Sequence, residues 1–221
     1  MSPPKFVTCP PAFAQLFDEG EASMSSVLSK ATWDIETGTH HVAGDRYVLI
    51  RAESLTVGVQ EELEKVLGSG KDAATYRLGK ALGSTTCRKV ASTYPDFSRE
   101  QILALGPIAF ALNGFSKTTI REESNLAFDD SFLMFYEHSN SFEAESFKQN
   151  GITTPKTACW LSAGFVAGWC TEALGFNVES REVSCTARGD DKCIFVMCVP
   201  KKLREVSKDL CTKHGIASDP K

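Results

Sequence analysis

The chain reads as an α+β protein, and three observations lead there. Helical periodicities fill most of its first half. Two stretches of alternating, aromatic-rich sequence follow, over 114–122 and 125–137. The last third then runs helix, hairpin, helix. Strands gathered after helices, rather than alternating with them, form an antiparallel sheet with helices packed on it. With 221 residues, 42% of them hydrophobic, the chain can build one good core or two small lobes that share one.

The elements follow in order. Residues 1–10 hold three of the nine prolines and read as a loose arm. Residues 11–17 suggest a short helix, and 24–28 a further turn. Residues 40–42 and 46–50 flank Ala43-Gly44-Asp45 as a hairpin. His40 and His41 are adjacent there, so they point to opposite faces of a strand. Leu55, Val59, Leu63, Val66 and Leu67 make the apolar stripe of a helix over 54–67, and Gly68 ends it. A longer helix over 72–94 carries Tyr76, Leu78, Leu82, Val90 and Tyr94, with Pro95 beyond it. Gly79 and Gly83 within it are spaced for close helix contact. Ser98 with Gln101 spells a capping box that opens a third helix through about Leu112, with Pro107 inside it. After the two strand-like stretches, 139–150 reads as a short helix with Phe142 and Phe147 inward. Thr154-Pro155 offers a cap followed by proline at the first helical position, so the central helix is expected to start there. Trp160, Gly164, Phe165, Gly168, Trp169 and Leu174 continue it, and Gly175 stops it. Residues 177–186 and 192–199 flank Arg188-Gly189-Asp190-Asp191 as a hairpin. Pro200 opens a last amphipathic helix with Leu203, Val206 and Leu210, and the tail from His214 is expected to fray.

Composition excludes several function classes. The formal net charge is −4 and no basic block or stripe occurs, which argues against direct nucleic-acid binding. No apolar run approaches the roughly 20 residues of a membrane span, and the N-terminus lacks a basic-then-apolar leader pattern. A cytoplasmic protein is expected. Eight cysteines in a chain this long do not make a secreted disulfide framework. Cys9, Cys87, Cys170, Cys198 and Cys211 read as reduced thiols, buried or at the surface. No nucleophile–base pairing stands out, and Gly68-Ser69-Gly70-Lys71 is too short for a phosphate loop. No catalytic residue is assigned.

One constellation carries chemistry. Cys159 lies at the start of the central helix, Glu182 and Cys185 on the first hairpin strand, and Cys193 opens the second. Helix and hairpin each offer soft or charged ligands to one point. Three thiolates and a carboxylate make a closed tetrahedral zinc set with no open position for water. Glu182 and Cys185 are three residues apart, which in regular extended chain puts them on opposite faces. A bulge or twist near Val183-Ser184 is therefore required. Spacing alone leaves the alternative of buried thiols, with Glu182 paired to Arg181 or Lys192.

A family resemblance adds to this. The residues that carry it are Ser141-Phe142-Glu143-Ala144, Ala158-Cys159-Trp160, Gly164-Phe165, Gly168, Arg181-Glu182-Val183 with Cys185, and Gly189-Asp190 with Cys193. Over these the chain resembles a 4-vinyl-reductase-type domain, and more closely the sensor domain of bacterial phenol- and toluene-responsive transcription activators. The likeness extends weakly upstream to about residue 40. It implies a small-molecule-binding fold like that of nitric-oxide-sensing and vesicle-tethering domains. It implies a structural zinc on the same four residues, and a homodimer formed through residues 1–112, with 113–221 as the zinc-containing ligand-binding part. It also implies pocket positions at Phe110, Tyr136, His138, Phe165, Trp169 and Ser180. Three of these depart from the phenol sensors: Phe110 stands for a helix histidine, His138 for a strand tryptophan and Ser180 for a tyrosine.

The expected function is a non-catalytic zinc-containing domain that binds a small hydrophobic or aromatic molecule, stand-alone in this chain. The alternatives are a tetrapyrrole-handling or reductase-associated factor, and a scaffold or tethering protein that keeps the fold without a ligand. An enzyme should show an open metal site or a nucleotide fingerprint. A scaffold should fill its cavity with side chains.

Overall fold

The computed structural model describes residues 5–217. The chain runs β1 (Val7–Thr8), α1 (Ala14–Met24), β2 (Ala31–Asp34), β3 (Thr39–Val42), β4 (Asp45–Tyr47), α2 (Val59–Leu67), α3 (Lys71–Thr93), α4 (Arg99–Leu112), β5 (Lys117–Ile120), β6 (Leu133–Ser139), α5 (Phe142–Gln149), α6 (Trp160–Leu174), β7 (Glu179–Ser184), β8 (Cys193–Cys198) and α7 (Pro200–His214). Five strands form the main sheet in the order β1-β5-β6-β8-β7, and β2-β3-β4 form a separate small sheet. All main-sheet pairs are antiparallel except β1 with β5, which is parallel.

The period of two on the central strands sorts two cores. Met134 and Tyr136 on β6, and Phe195 and Met197 on β8, join the large core beneath the helices. Their neighbours Phe135, Ile194 and Val196 face the other way, under α7, in a smaller cluster with Val183 and Leu210. The inner layer is α4 and α6, apolar on nearly every side and buried accordingly. The capping box of α4 is complete: Gln101 N donates to Ser98 Oγ at 3.3 Å, and Ser98 N donates to Gln101 Oε1 at 2.9 Å. α3 lies against α6 at backbone contact. A Cβ on Gly79 or Gly83 would stand 2.2 or 1.9 Å from the carbonyl oxygen of Leu161 or Phe165. One on Gly164 or Gly168 would stand 2.0 Å from that of Tyr76 or Lys80.

The structure corrects several expectations. Residues 7 and 8 are not a loose arm but an edge strand, with Val7 buried and its N–H donated to Glu21 Oε1 at 2.9 Å. A third strand, β2, joins the expected hairpin. The helix over 54–67 begins as a π-helical turn at Ser54–Gly58. Residues 125–132 form a loop rather than strand, bridged to the sheet only by the Asn125–Leu133 pair. α6 starts at Trp160, not at Thr154-Pro155, because the caps that define its start come from distant carboxylates described below. α7 does not fray at His214: Gly215, at φ +64°, ends it, and Ile216 packs on the outer cluster. The close-contact glycines of α3 are consumed by α6 of the same chain, so they supply no surface to a second copy.

Candidate functional site

The site begins at the N-terminus of α6. The first N–H groups of a helix have no partner within it and carry partial positive charge. Here two buried carboxylates take them. Glu182 Oε2 accepts from Ala158 N at 3.0 Å and from Cys159 N at 2.8 Å. Glu143 Oε1 accepts from Leu161 N at 3.0 Å, and Oε2 from Ser162 N at 2.8 Å. Burial pushes the Glu143 carboxyl up to about 7 against the pull of these donors. Glu182 is likewise pushed well above the usual carboxylate range by burial.

A bulge between Glu182 and Ser184 interrupts the β7–β8 register, as the three-residue spacing demands. It turns Glu182 and Cys185 to the same side. The ligand atoms of Cys159, Glu182, Cys185 and Cys193 all lie within 4.8 Å of one another, and all four residues are buried. Cys159 Sγ stands 3.9 Å from Cys185 Sγ and 3.8 Å from Cys193 Sγ. Sulfurs bound to one tetrahedral zinc at about 2.3 Å would be about 3.8 Å apart, so the spacing suits that ion. Glu182 Oε1 has no hydrogen-bond partner although it is buried. The carboxylate therefore has one oxygen fixed by the helix and one left for the cluster.

Neighbours orient the sulfurs. Ser141 Oγ lies 3.2 Å from Cys159 Sγ, and Thr186 N donates to Cys193 Sγ at 3.4 Å. Cys185 N donates to Asp190 Oδ2 at 2.7 Å, and Arg188 Nε donates to the same oxygen at 2.9 Å, which locks the hairpin turn. Hydrogen bonds from the Cys159 and Cys185 thiols hold Cys193 down to about 5, so one sulfur is ready as a thiolate. Burial pushes the Cys159 thiol well up.

The second constellation lies on the inner face of the sheet. Phe110, Tyr136, His138, Phe165, Trp169 and Ser180 are all buried. His138 stacks on Phe110 at 4.6 Å between ring centres and lies 4.6 Å from Phe195 and 5.2 Å from Tyr136. Phe110 also touches Phe165, 5.5 Å away. Tyr136 Oη and Ser180 Oγ share a 2.8 Å hydrogen bond, and Ser180 N donates to Tyr76 Oη at 3.0 Å. Trp169 Nε1 donates to the Ile102 carbonyl at 3.1 Å. Neither nitrogen of His138 has a partner. Burial alone lowers its pKa from 6.5 to about 3, so the ring is neutral.

A cavity of about 20 Å³ opens next to this cluster, between α1, α4, α6, the sheet and the loop at 121–132. Phe165 and Trp169 stand in its wall, together with Phe17, Leu103, Leu126 and Met134. Of the six expected pocket positions, only those two line it; the other four lie in the packed cluster. Sequence reading missed Phe17, Leu103, Leu126 and Met134 because an apolar residue on a helix or strand signals core alone. It quoted Glu143 only inside a run of resemblance, since a glutamate in a first helical turn reads as ordinary surface charge.

Comparison with known proteins places this geometry. The family model of the 4-vinyl-reductase domain matches residues 135–198, and that described as activator of aromatic catabolism matches residues 28–125. The transcriptional regulatory protein XylR of Pseudomonas putida is 24% identical over 165 residues, 74% of this chain and 29% of that protein. The phenol regulator MopR of Acinetobacter guillouiae is 23% identical over 198 residues, 89% of this chain and 34% of that protein. This chain thus spans about a third of the length of these relatives. The crystal structure of the phenol-responsive sensory domain of the transcription activator PoxR, solved with phenol, superposes with a TM-score of 0.70 at 16% identity, covering 91% of this chain and 97% of that one. Residues 135–198 are therefore a 4-vinyl-reductase domain, and with the segment before it the chain resembles the sensor domains of activators of aromatic catabolism.

Proposed function

We propose that this chain is a non-catalytic domain, fastened by one zinc ion, that binds a small hydrophobic or aromatic molecule and works as a homodimer. The observation that carries the reading is the buried imidazole of His138, unpartnered on both nitrogens within an aromatic cluster and beside an apolar cavity. Folded proteins rarely leave such a group unsatisfied, and a bound molecule would supply the missing partner. The relatives' printed functions, a phenol regulator and a phenol-responsive sensory domain, point to the same ligand class.

Zinc would be held by Cys159, Glu182, Cys185 and Cys193. Bound there, it would supply cross-linking between helix and hairpin rather than chemistry, since four protein ligands leave no position for water or substrate. The chain's own groups do the rest. Glu143 and Glu182 fix the start of α6, and α6 carries Phe165 and Trp169 into the cavity wall. Neutral His138 can donate from one nitrogen and accept at the other, so it suits a hydroxyl or carbonyl and offers no charge to a carboxylate.

The cavity as it stands is too small for an aromatic ring; an engineered cavity that takes benzene is about 150 Å³. Its wall must therefore give way when a ligand enters. Titration calorimetry with toluene, phenol and benzoate tests the reading. Toluene and phenol should bind and benzoate should not. Absence of heat with both neutral compounds, together with no small molecule retained in native mass spectra, would remove it.

A further inference from the structure

The loop at 121–132 touches the cavity on one side and the last helix on the other. Its Leu126 stands in the cavity wall and is half-buried, so it closes the cavity's outer side. Its acidic residues reach α7 at both ends. Asp130 meets the N-terminal turn, with Lys201 Nζ 3.0 Å from Oδ2 and Lys202 Nζ donating to its carbonyl at 2.7 Å. Glu123 meets the C-terminal turn, with Oε1 3.0 Å from Lys213 Nζ and 2.6 Å from His214 Nε2. The Glu123 side chain is only 18% exposed, so this pair is screened less than an ordinary surface pair. Its contacts with Lys213 and His214 hold the carboxyl below the usual range, against the effect of burial.

We infer that the loop at 121–132 is a lever that transmits the state of the cavity to α7. The other walls are poor candidates to move. α4 and α6 are continuous helices in the core, and β5 and β6 are hydrogen-bonded within the sheet. β6 also reaches both sides, through Met134 in the cavity and Phe135 beside His214, but it is paired along its length with β5 and β8. The loop is tied to the sheet by one isolated pair, Asn125 with Leu133, and by the Arg121 N–H and the Ser124 hydroxyl on Phe135. Few backbone bonds make it the cheapest part of the wall to displace. A displacement of Leu126 shifts Glu123 and Asp130 with it, and both are fastened to α7. That this link serves as a sensor's output rests on the ligand reading above; the link itself does not.

The test therefore uses no ligand. Amide hydrogen exchange is followed in the full chain for wild type, Leu126→Ala, Val166→Ala and the pair Glu123→Gln/Asp130→Asn. Leu126→Ala should speed exchange of the α7 amides at least threefold while the β8 amides stay protected. Val166→Ala, which opens the same cavity from α6, should leave α7 at the wild-type rate. In the Glu123→Gln/Asp130→Asn background, adding Leu126→Ala should no longer change α7. Wild-type exchange of α7 in Leu126→Ala overturns the lever, as does an equal response to Val166→Ala. Should Leu126→Ala fail to fold, Leu126→Val with the same amides decides in the same way. Toluene calorimetry decides the ligand reading separately, so failure of one is not mistaken for failure of the other.

Discussion

Glu182 has two tasks in one carboxylate. One oxygen caps α6 through two N–H groups, and the other points, unpartnered, into three sulfurs. The expected metal content is one zinc per chain by elemental analysis. Cys193→Ser should lose it, because the thiol most ready to ionise is gone. Binding free energy at such a site is folding free energy. A loss of several kcal/mol lowers Tm by about 10 °C or more, at roughly 2–4 °C per kcal/mol for this chain length. Zinc retained at full stoichiometry in Cys193→Ser would contradict the assignment. His138 makes a different prediction. In the empty protein its two nitrogens are unsatisfied, so His138→Leu should raise stability in denaturant melts by about 1–3 kcal/mol while weakening phenol more than toluene. The sign with pH follows from the lowered pKa. Below pH 6.5 the unfolded chain takes a proton that the folded chain refuses down to about pH 3. Stability is therefore full above 6.5 and falls as pH drops, by up to about 1.4 kcal/mol per pH unit from this group. His138→Leu should flatten that part of the acid limb; an unchanged slope would show that the ring is solvated. The metal residues were legible because soft ligands are rare and their spacing demanded a bulge that is present. The role of Glu143 was not, since nothing local distinguishes a buried cap from a solvated glutamate.

At the scale of elements, α3 and α6 form a mutual glycine seam. Each helix brings two glycines, four residues apart, against the other's carbonyls. Gly83→Ala would place a methyl carbon 1.9 Å from the Phe165 carbonyl oxygen, on backbone that cannot rotate away. The helices must separate, which also moves Phe165 and Trp169. A loss of about 3 kcal/mol or more is expected, at the upper end for single substitutions. Gly58→Ala, where nothing lies within 4 Å, is the control and should be near neutral or stabilising. Equal melting of the two variants would show that the seam has slack. The glycine spacing announced a close helix contact, but sequence could not name the partner, because the matching glycines lie about 85 positions away. The start of α6 was misread for a related reason. Thr154-Pro155 carries the usual local signals, whereas the real start is set by carboxylates from α5 and β7. Boundaries set by local chemistry, as at Ser98 and Gly175, were legible; those set by tertiary partners were not.

Across the whole molecule one part stands out as unfinished. The sheet β2-β3-β4 buries almost nothing: every residue of β2 is exposed, and Val42 is the one buried position on the three strands. Trp33 is 60% exposed and Ile35 87%, and Val48, Leu49 and Ile50 continue the apolar surface just after β4. Three short strands without a covered face do not hold their shape alone in water. An exposed apolar surface of this extent marks a contact with another molecule. Since the glycines of α3 are already used within the chain, a homodimer must form elsewhere, and this sheet is where we place it. The pairing would bury the apolar rim and give β2, an edge strand, a neighbour. Sedimentation at micromolar concentration should give a dimer for the wild type. Ile35→Glu with Leu49→Glu puts two charges into the proposed contact and should give a monomer. Both sites are exposed in the single chain, so neither charge is forced into its core, and zinc content and cavity binding should persist in the monomer. A clean wild-type monomer, or a double variant that still dimerises, would place the association elsewhere or remove it.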